Sequence, residues 1–174
     1  MESRSEPRPR LLVIGHGRHG KDTAAGILAE RLGLSAASSS EFVAERAIWP
    51  LVRDRGIWPD WRAAYSDRHA HREMWFHAIR AYNLGPGPGL AEQLLREHAI
   101  YVGMRARAEL IATRDLFDAV LWVDASARLL GEDPGSMELS AADADLVIDN
   151  NGGLSDLTRE VAAVAVLVGA RWAG

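Results

Sequence analysis

Between residues 11 and 23 the chain reads Leu-Leu-Val-Ile-Gly-His-Gly-Arg-His-Gly-Lys-Asp-Thr, and few folds accept such a stretch. Four apolar residues in a row suit a strand buried on both faces, which asks for a parallel sheet with helices on each side. The glycines after it break that strand, and an alanine-rich helical pattern begins at Lys21. Gly15, Gly20 and Lys21 stand at the spacing of a G-x-x-x-x-G-K-[ST] phosphate loop. In such loops the glycines let backbone N–H groups converge on phosphate oxygens, the lysine reaches the β- and γ-phosphates, and the helix N-terminus adds its dipole. Gly15, His16, Gly17, Arg18, His19, Gly20, Lys21, Asp22 and Thr23 are therefore the expected nucleotide-binding residues. The eighth position departs from the pattern, because Asp22 replaces the hydroxyl that ligates Mg²⁺. A carboxylate is still a hard oxygen ligand for that ion, directly or through water. ATP and Mg²⁺ are the expected cofactors, with Asp22 as the metal residue.

Further along, strands are expected at 10–14, 34–38, 99–102, 118–124 and 144–149. Helices are expected at 21–32, from Ser38 through Ala47, from Trp58 onward, and at 67–82, 90–98, 104–113 and 154–168. Pro50 should stop the second helix, and Asn83-Leu-Gly-Pro-Gly-Pro-Gly89 is the clearest loop. Strands alternating with helices imply right-handed crossovers and a parallel sheet. The fold class that follows is α/β, a three-layer P-loop domain with a mainly parallel sheet. With 174 residues, 48% of them hydrophobic, the chain has material for one core, so a single domain spanning 1–174 is expected. Ligands in such sheets bind beyond the carboxyl ends of the strands. That gathers residues 103–105, 124–128 and 149–153 around the glycine loop.

Composition excludes several classes. Without cysteine there are no disulfides, thiolate metal sites or cysteine nucleophiles. No run of 18 apolar residues occurs, and Met1 to Arg10 lacks a signal-peptide core, so a soluble, cytoplasmic protein without a membrane partner is expected. The net charge of −4 is unevenly spread: residues 46–80 hold seven arginines against four acids, together with four of the six tryptophans. Arginine interleaved with aromatics holds phosphates and stacks bases. At helical spacing Arg68, His71, Arg72 and Trp75 form one stripe, the expected acceptor-binding face. A tryptophan-rich helical subdomain with a solvated arginine face is the alternative.

The loop Gly-His-Gly-Arg-His-Gly-Lys-Asp-Thr resembles that of bacteriophage deoxynucleoside monophosphate kinases and their relatives, including kinases that phosphorylate 5-hydroxymethyluracil within DNA. Tyr101-Val-Gly-Met-Arg105 with Glu109 is similar to the strand, arginine and downstream glutamate of that group. Leu121-Trp-Val-Asp-Ala125 with Arg128 resembles the strand that enters their lid. Ala144 to Gly152 is similar to the closing strand and loop that border the adenine in nucleotide and dephospho-coenzyme A kinases, which implies adenine-side roles for Asn150 and Asn151. The resemblance implies a helical acceptor-binding region at 46–98, a short lid-like excursion at 125–144, and transfer of the ATP γ-phosphoryl group. Lys21, Asp22, Arg105 and Arg128 are the expected catalytic residues, with Glu41, Glu45 and Asp67 as alternatives for a general base. One departure bears on the metal: relatives often carry an Asp two residues before the third-strand arginine, where this chain has Gly103, so Asp22 is expected to take over Mg²⁺. The favoured acceptor is 5-hydroxymethyldeoxyuridine in DNA. A free deoxynucleoside monophosphate is the alternative, and a nucleotide-dependent DNA-binding ATPase or switch is the third. A homodimer stays open.

Overall fold

A computed structural model describes residues 8–133 and 135–172, without the side chains of His69, Arg72, Phe76 and Trp172. Strand β1 (Leu11–Ile14) lies at the centre of a five-stranded parallel sheet of order β2-β3-β1-β4-β5. The others are β2 (Ala36–Ser38), β3 (Ile100–Val102), β4 (Ala119–Asp124) and β5 (Leu146–Asp149). In register, Leu11 stands opposite Ile100 on one side and Ala119 on the other. All four residues of β1 are fully buried. At about 1.5–3 kcal/mol for each fully buried Val, Leu or Ile side chain, this short strand is a main anchor of the fold.

Because side chains alternate along a strand, β1 feeds two cores at once. Leu12 and Ile14 join Tyr101, Val120 and Trp122 in the core on one face. Leu11 and Val13 join Ile100, Val102, Leu121 and Val123 on the other. Helices α1 (Lys21–Leu32) and α8 (Leu154–Trp172) cover the second face through Ala24, Ala25, Leu28, Leu157, Val161 and Val164. The first face carries the helices between β2 and β3, so the domain has three layers, as expected for the class. The only glycine closing α1 is Gly33, whose φ of 63° takes the left-handed conformation that ends a helix.

Besides shifts of a few residues at strand and helix ends, three elements differ from expectation for a visible reason. Pro50 does not stop the second helix. The chain runs from α2 (Ser39–Val43) through a π-helical turn (Ala44–Ile48) into α3 (Trp49–Val52), where Pro50 occupies the first turn. The Trp49 N–H bonds Ala44 O, five residues back, and this wider winding delivers Pro50 to a first-turn position, where a missing N–H is tolerated. The segment expected as one helix over 67–82 is a 3₁₀ turn (Asp67–His71) followed by α5 (Arg72–Leu84), preceded by α4 (Trp61–Ser66). Third, α6 (Leu90–Glu97) is placed as expected, but α7 (Arg107–Thr113) starts three residues late. The turn at Gly103, with φ 104°, carries the chain away from β3 first.

Candidate functional site

The loop between β1 and α1 is shaped by close approaches that admit only glycine. A Cβ on Gly15 would stand 2.6 Å from Val123 O, and one on Gly20 would stand 2.4 Å from Asn150 Nδ2. Both residues also have positive φ, as does Arg18 at 64°. Gly20 caps α1 in the left-handed conformation, so the first-turn N–H groups of α1, which have no partner within the helix, open toward the loop. Lys21 lies at that N-terminus and its Nζ donates to His16 O at 2.8 Å. Burial lowers its pKa, and the positive charge of Arg105 lowers it further, against the opposing pull of Asp22 and Glu132. Two cations brought together under partial burial make a site for an anion.

An anionic group of the chain itself lies there. The Glu132 carboxylate accepts the Gly17 N–H through Oε2 at 2.6 Å and an Arg105 guanidinium N–H through Oε1 at 2.9 Å. Burial opposes its charge, but the Arg105 and Gly17 hydrogen bonds and the nearby cations outweigh that and hold its pKa below the ordinary carboxylate value. Its own N–H donates to His16 Nδ1 at 3.0 Å. Glu132 was not among the expected site residues, and no local pattern marks it: it is one acid in a polar stretch, brought to the loop by folding.

The remaining expected residues divide into those that face the loop and those that support it. Asp22 and Thr23 are exposed in the first turn of α1, and Arg18 is exposed in the loop. His19 is buried, and its Nδ1 accepts the Ala125 N–H at 3.1 Å. Asn150, 5% exposed, donates Nδ2 to His19 O at 2.8 Å. These two side chains are buried and brace the loop against the ends of β4 and β5, while the His19 Nε2 is buried without a hydrogen-bond partner among the described residues. Asn151 is likewise engaged, accepting from Ala127 N–H and donating to Asp124 and Asp149. Arg128 donates its Nε to Asn150 O at 2.7 Å, on the closing loop, whereas Arg105 is the arginine whose charge reaches Lys21.

At the position of the missing third-strand acid, Gly103 has a Cβ direction that points at Ser39 Oγ, 3.2 Å away, with φ 104°. A side chain there is strained and crowded, so the acid has no seat. Asp22 is the exposed carboxylate next to Lys21. One carboxylate and a neighbouring Thr23 hydroxyl suit Mg²⁺, which is commonly held by one or two protein oxygens plus phosphates and water.

The expected acceptor face does not form as a face. Trp75 is 5% exposed and packs in the first core with Phe42, Ile48 and Leu94, edge-on to Tyr65. A buried indole offers no plane for a base, so its expected stacking role is corrected. Apolar burial of so large a ring outweighs leaving it in water. Arg68 is spent within the fold, its guanidinium lying 4.0 Å from the Tyr65 ring centroid and donating to Tyr65 O. His71 contacts Asp67 through Nε2 at 3.1 Å and meets Trp58 edge to face. The side chain of Arg72 lies outside the described residues.

No protein-family model matches the chain, and no curated protein matches it in sequence. Solved structures share its fold across nearly the whole length. A sugar kinase from Janibacter sp. HTCC2649 superposes with a TM-score of 0.50 at 16% identity, over 95% of this chain and 98% of that one. Shikimate kinase from Aquifex aeolicus gives 0.50 at 14% identity, over 92% and 98%. A gluconokinase from Sinorhizobium meliloti 1021 gives 0.50 at 16%, over 93% and 95%. The three-layer α/β fold is thus shared with these kinases. Among the described residues no helix is long and apolar enough to cross a membrane.

Proposed function

We propose that the protein is an ATP-dependent phosphotransferase that passes the γ-phosphoryl group, with Mg²⁺, to a small acceptor. The observation that carries this reading is the convergence of the Gly17 N–H, Lys21 and Arg105 on one anionic position at the N-terminus of α1. Phosphoryl transfer depends on positioning and on neutralising charge spread over the transferred oxygens, and that is what the two cations and the Gly17 N–H supply. Lys21 binds the β- and γ-phosphates, and Arg105 meets charge developing on the group in transit. Asp22 would hold Mg²⁺, directly or through water, and the bound ion would supply charge neutralisation to the phosphates. His19 and Asn150 keep the loop open by tying it to the ends of β4 and β5.

For the acceptor, a free molecule the size of a deoxynucleoside monophosphate fits the helical region 46–98 better than a base flipped out of DNA. A flipped base needs an exposed aromatic platform, and of the expected face of Arg68, His71, Arg72 and Trp75 the indole of Trp75 is buried in the core and the Arg68 guanidinium lies on the Tyr65 ring. The names of the solved structures that share the fold are in keeping with a small acceptor.

The test supplies γ-labelled ATP and Mg²⁺ with a set of deoxynucleoside monophosphates and, separately, an oligonucleotide containing 5-hydroxymethyluracil. Label on a small acceptor, lost in Lys21→Ala, is the expected result. Label on the DNA base would restore the DNA reading, and label only in free phosphate, equal with and without acceptor, would make the protein an ATPase.

A further inference from the structure

The Glu132 carboxylate belongs to the same chain as the loop it occupies, and its seat is built on four sides. Oε2 takes the Gly17 N–H, Oε1 takes the Arg105 guanidinium, the Glu132 N–H is tied to His16 Nδ1, and Gly131 lies against the His16 ring. Its side chain is 17% exposed, well inside the surface, while the Arg105 it holds is 47% exposed. Arg105 also donates to Ser136 O, and Glu138 N–H donates to Arg105 O, so the arginine is held to the 125–144 excursion by three bonds. The excursion has firm ends: Arg128 and Leu129 N–H groups bond Ala125 O, and Met137 and Leu139 are buried in the first core.

A carboxylate and a phosphoryl oxygen ask for the same partners, namely backbone N–H groups and a guanidinium. Both cannot occupy this position. We propose that Glu132 is a built-in competitor for the phosphate loop: it fills the anion position when nucleotide is absent, and the incoming triphosphate must displace its side chain. Displacement does two things at once. It frees the Gly17 N–H for a phosphate oxygen and releases Arg105 from its carboxylate partner, so that the arginine becomes available to the transferred group only once ATP is in place. Without ligand the carboxylate meanwhile satisfies the Gly17 N–H and the Arg105 guanidinium.

This inference rests on the phosphate-loop reading, and the experiment separates the two. Affinity for Mg²⁺·ATP is measured by calorimetry for the wild type, Glu132→Gln, Glu132→Asp and Lys21→Ala. Glu132→Gln keeps the shape and removes the charge; Glu132→Asp keeps the charge on a side chain one methylene too short for its seat. Both are expected to bind about tenfold tighter than the wild type, the equivalent of roughly one charge-assisted hydrogen bond no longer competed for, and Lys21→Ala is expected to bind much more weakly. A wild type that binds ATP while Glu132→Gln binds equally or more weakly overturns the competitor and leaves the phosphate loop standing. Tight binding by Glu132→Gln with wild-type binding by Glu132→Asp also overturns it, since the effect would then be diffuse charge and not occupation of the seat. Equal binding by the wild type and Lys21→Ala, or none by either, removes the phosphate-loop reading and this inference together.

Discussion

Asp22 is the residue whose chemistry is most exposed to test. It is solvent-exposed in the first turn of α1, next to Lys21, in a position where a carboxylate beside a triphosphate would be repelled unless a cation lay between them. With a side chain at Gly103 strained and crowded, Asp22 is the carboxylate of the proposed metal site. Asp22→Ala is expected to lower turnover by one to two orders of magnitude at limiting Mg²⁺ and by much less at saturating Mg²⁺. Its cost to the fold is small, on the order of 0.3–1 kcal/mol from the lost charge at a helix N-terminus. A Mg²⁺ titration of initial rates checks this, and a loss independent of Mg²⁺ would assign Asp22 another role.

At the scale of the element, α5 shows how one side chain serves packing where its neighbours suggest binding. Trp75 lies on the face of α5 that meets the core, with Ala78, Ile79 and Tyr82 packed beside it. Trp75→Ala is therefore expected to cost about 3–5 kcal/mol of folding stability, the usual penalty for emptying an aromatic site. Urea denaturation measures it. A variant as stable as the wild type but deficient in binding an oligonucleotide would return Trp75 to a recognition role. The π turn at Ala44–Ile48 is a second case of an element set by a local chemical constraint, since Pro50 is kept within a continuous helical path only because the turn before it is wider.

Across the whole molecule, a partly buried polar cluster joins the sheet to the helical layer. The Tyr101 hydroxyl on β3 donates to Glu109 on α7, Glu109 also bonds Asn83 at the end of α5, and Asn83 Oδ1 accepts the Leu90 N–H at the start of α6. Burial raises the Glu109 pKa above its ordinary 4.5, against the smaller opposing effect of its hydrogen bonds to Tyr101 and Asn83. The folded protein thus holds this proton more tightly than the unfolded chain does. The stability it contributes is full below the ordinary value and is lost as pH rises through the higher folded value. Glu109→Gln keeps the acceptor and removes the titration. Its melting temperature relative to the wild type should be higher at pH 7 than at pH 4, and a difference that does not change with pH would show that Glu109 does not titrate on folding.

The sequence alone determined the order of elements, the parallel sheet and the phosphate loop, because each is written in short-range terms. Apolar runs such as Leu11–Ile14 report burial on two faces, and the spacing of Gly15, Gly20 and Lys21 reports a backbone that must bend close to β4 and β5. What only the tertiary structure decided was which polar side chains meet. His19 and Asn150 are 131 residues apart and become a brace; Gly17 and Glu132 are 115 apart and become an occupied anion site. The stripe of Arg68, His71 and Trp75 follows a local periodicity that is satisfied equally by a surface groove or by a core. For Trp75 the choice fell to the core, because a large indole near the neighbouring helices Ser39–Val52 and Leu90–Glu97 gains more from apolar burial than from water, while Arg68 and His71 stay partly exposed. Periodicity carries direction around a helix but not what lies in that direction, and the partners of a charge are fixed only when the chain closes on itself.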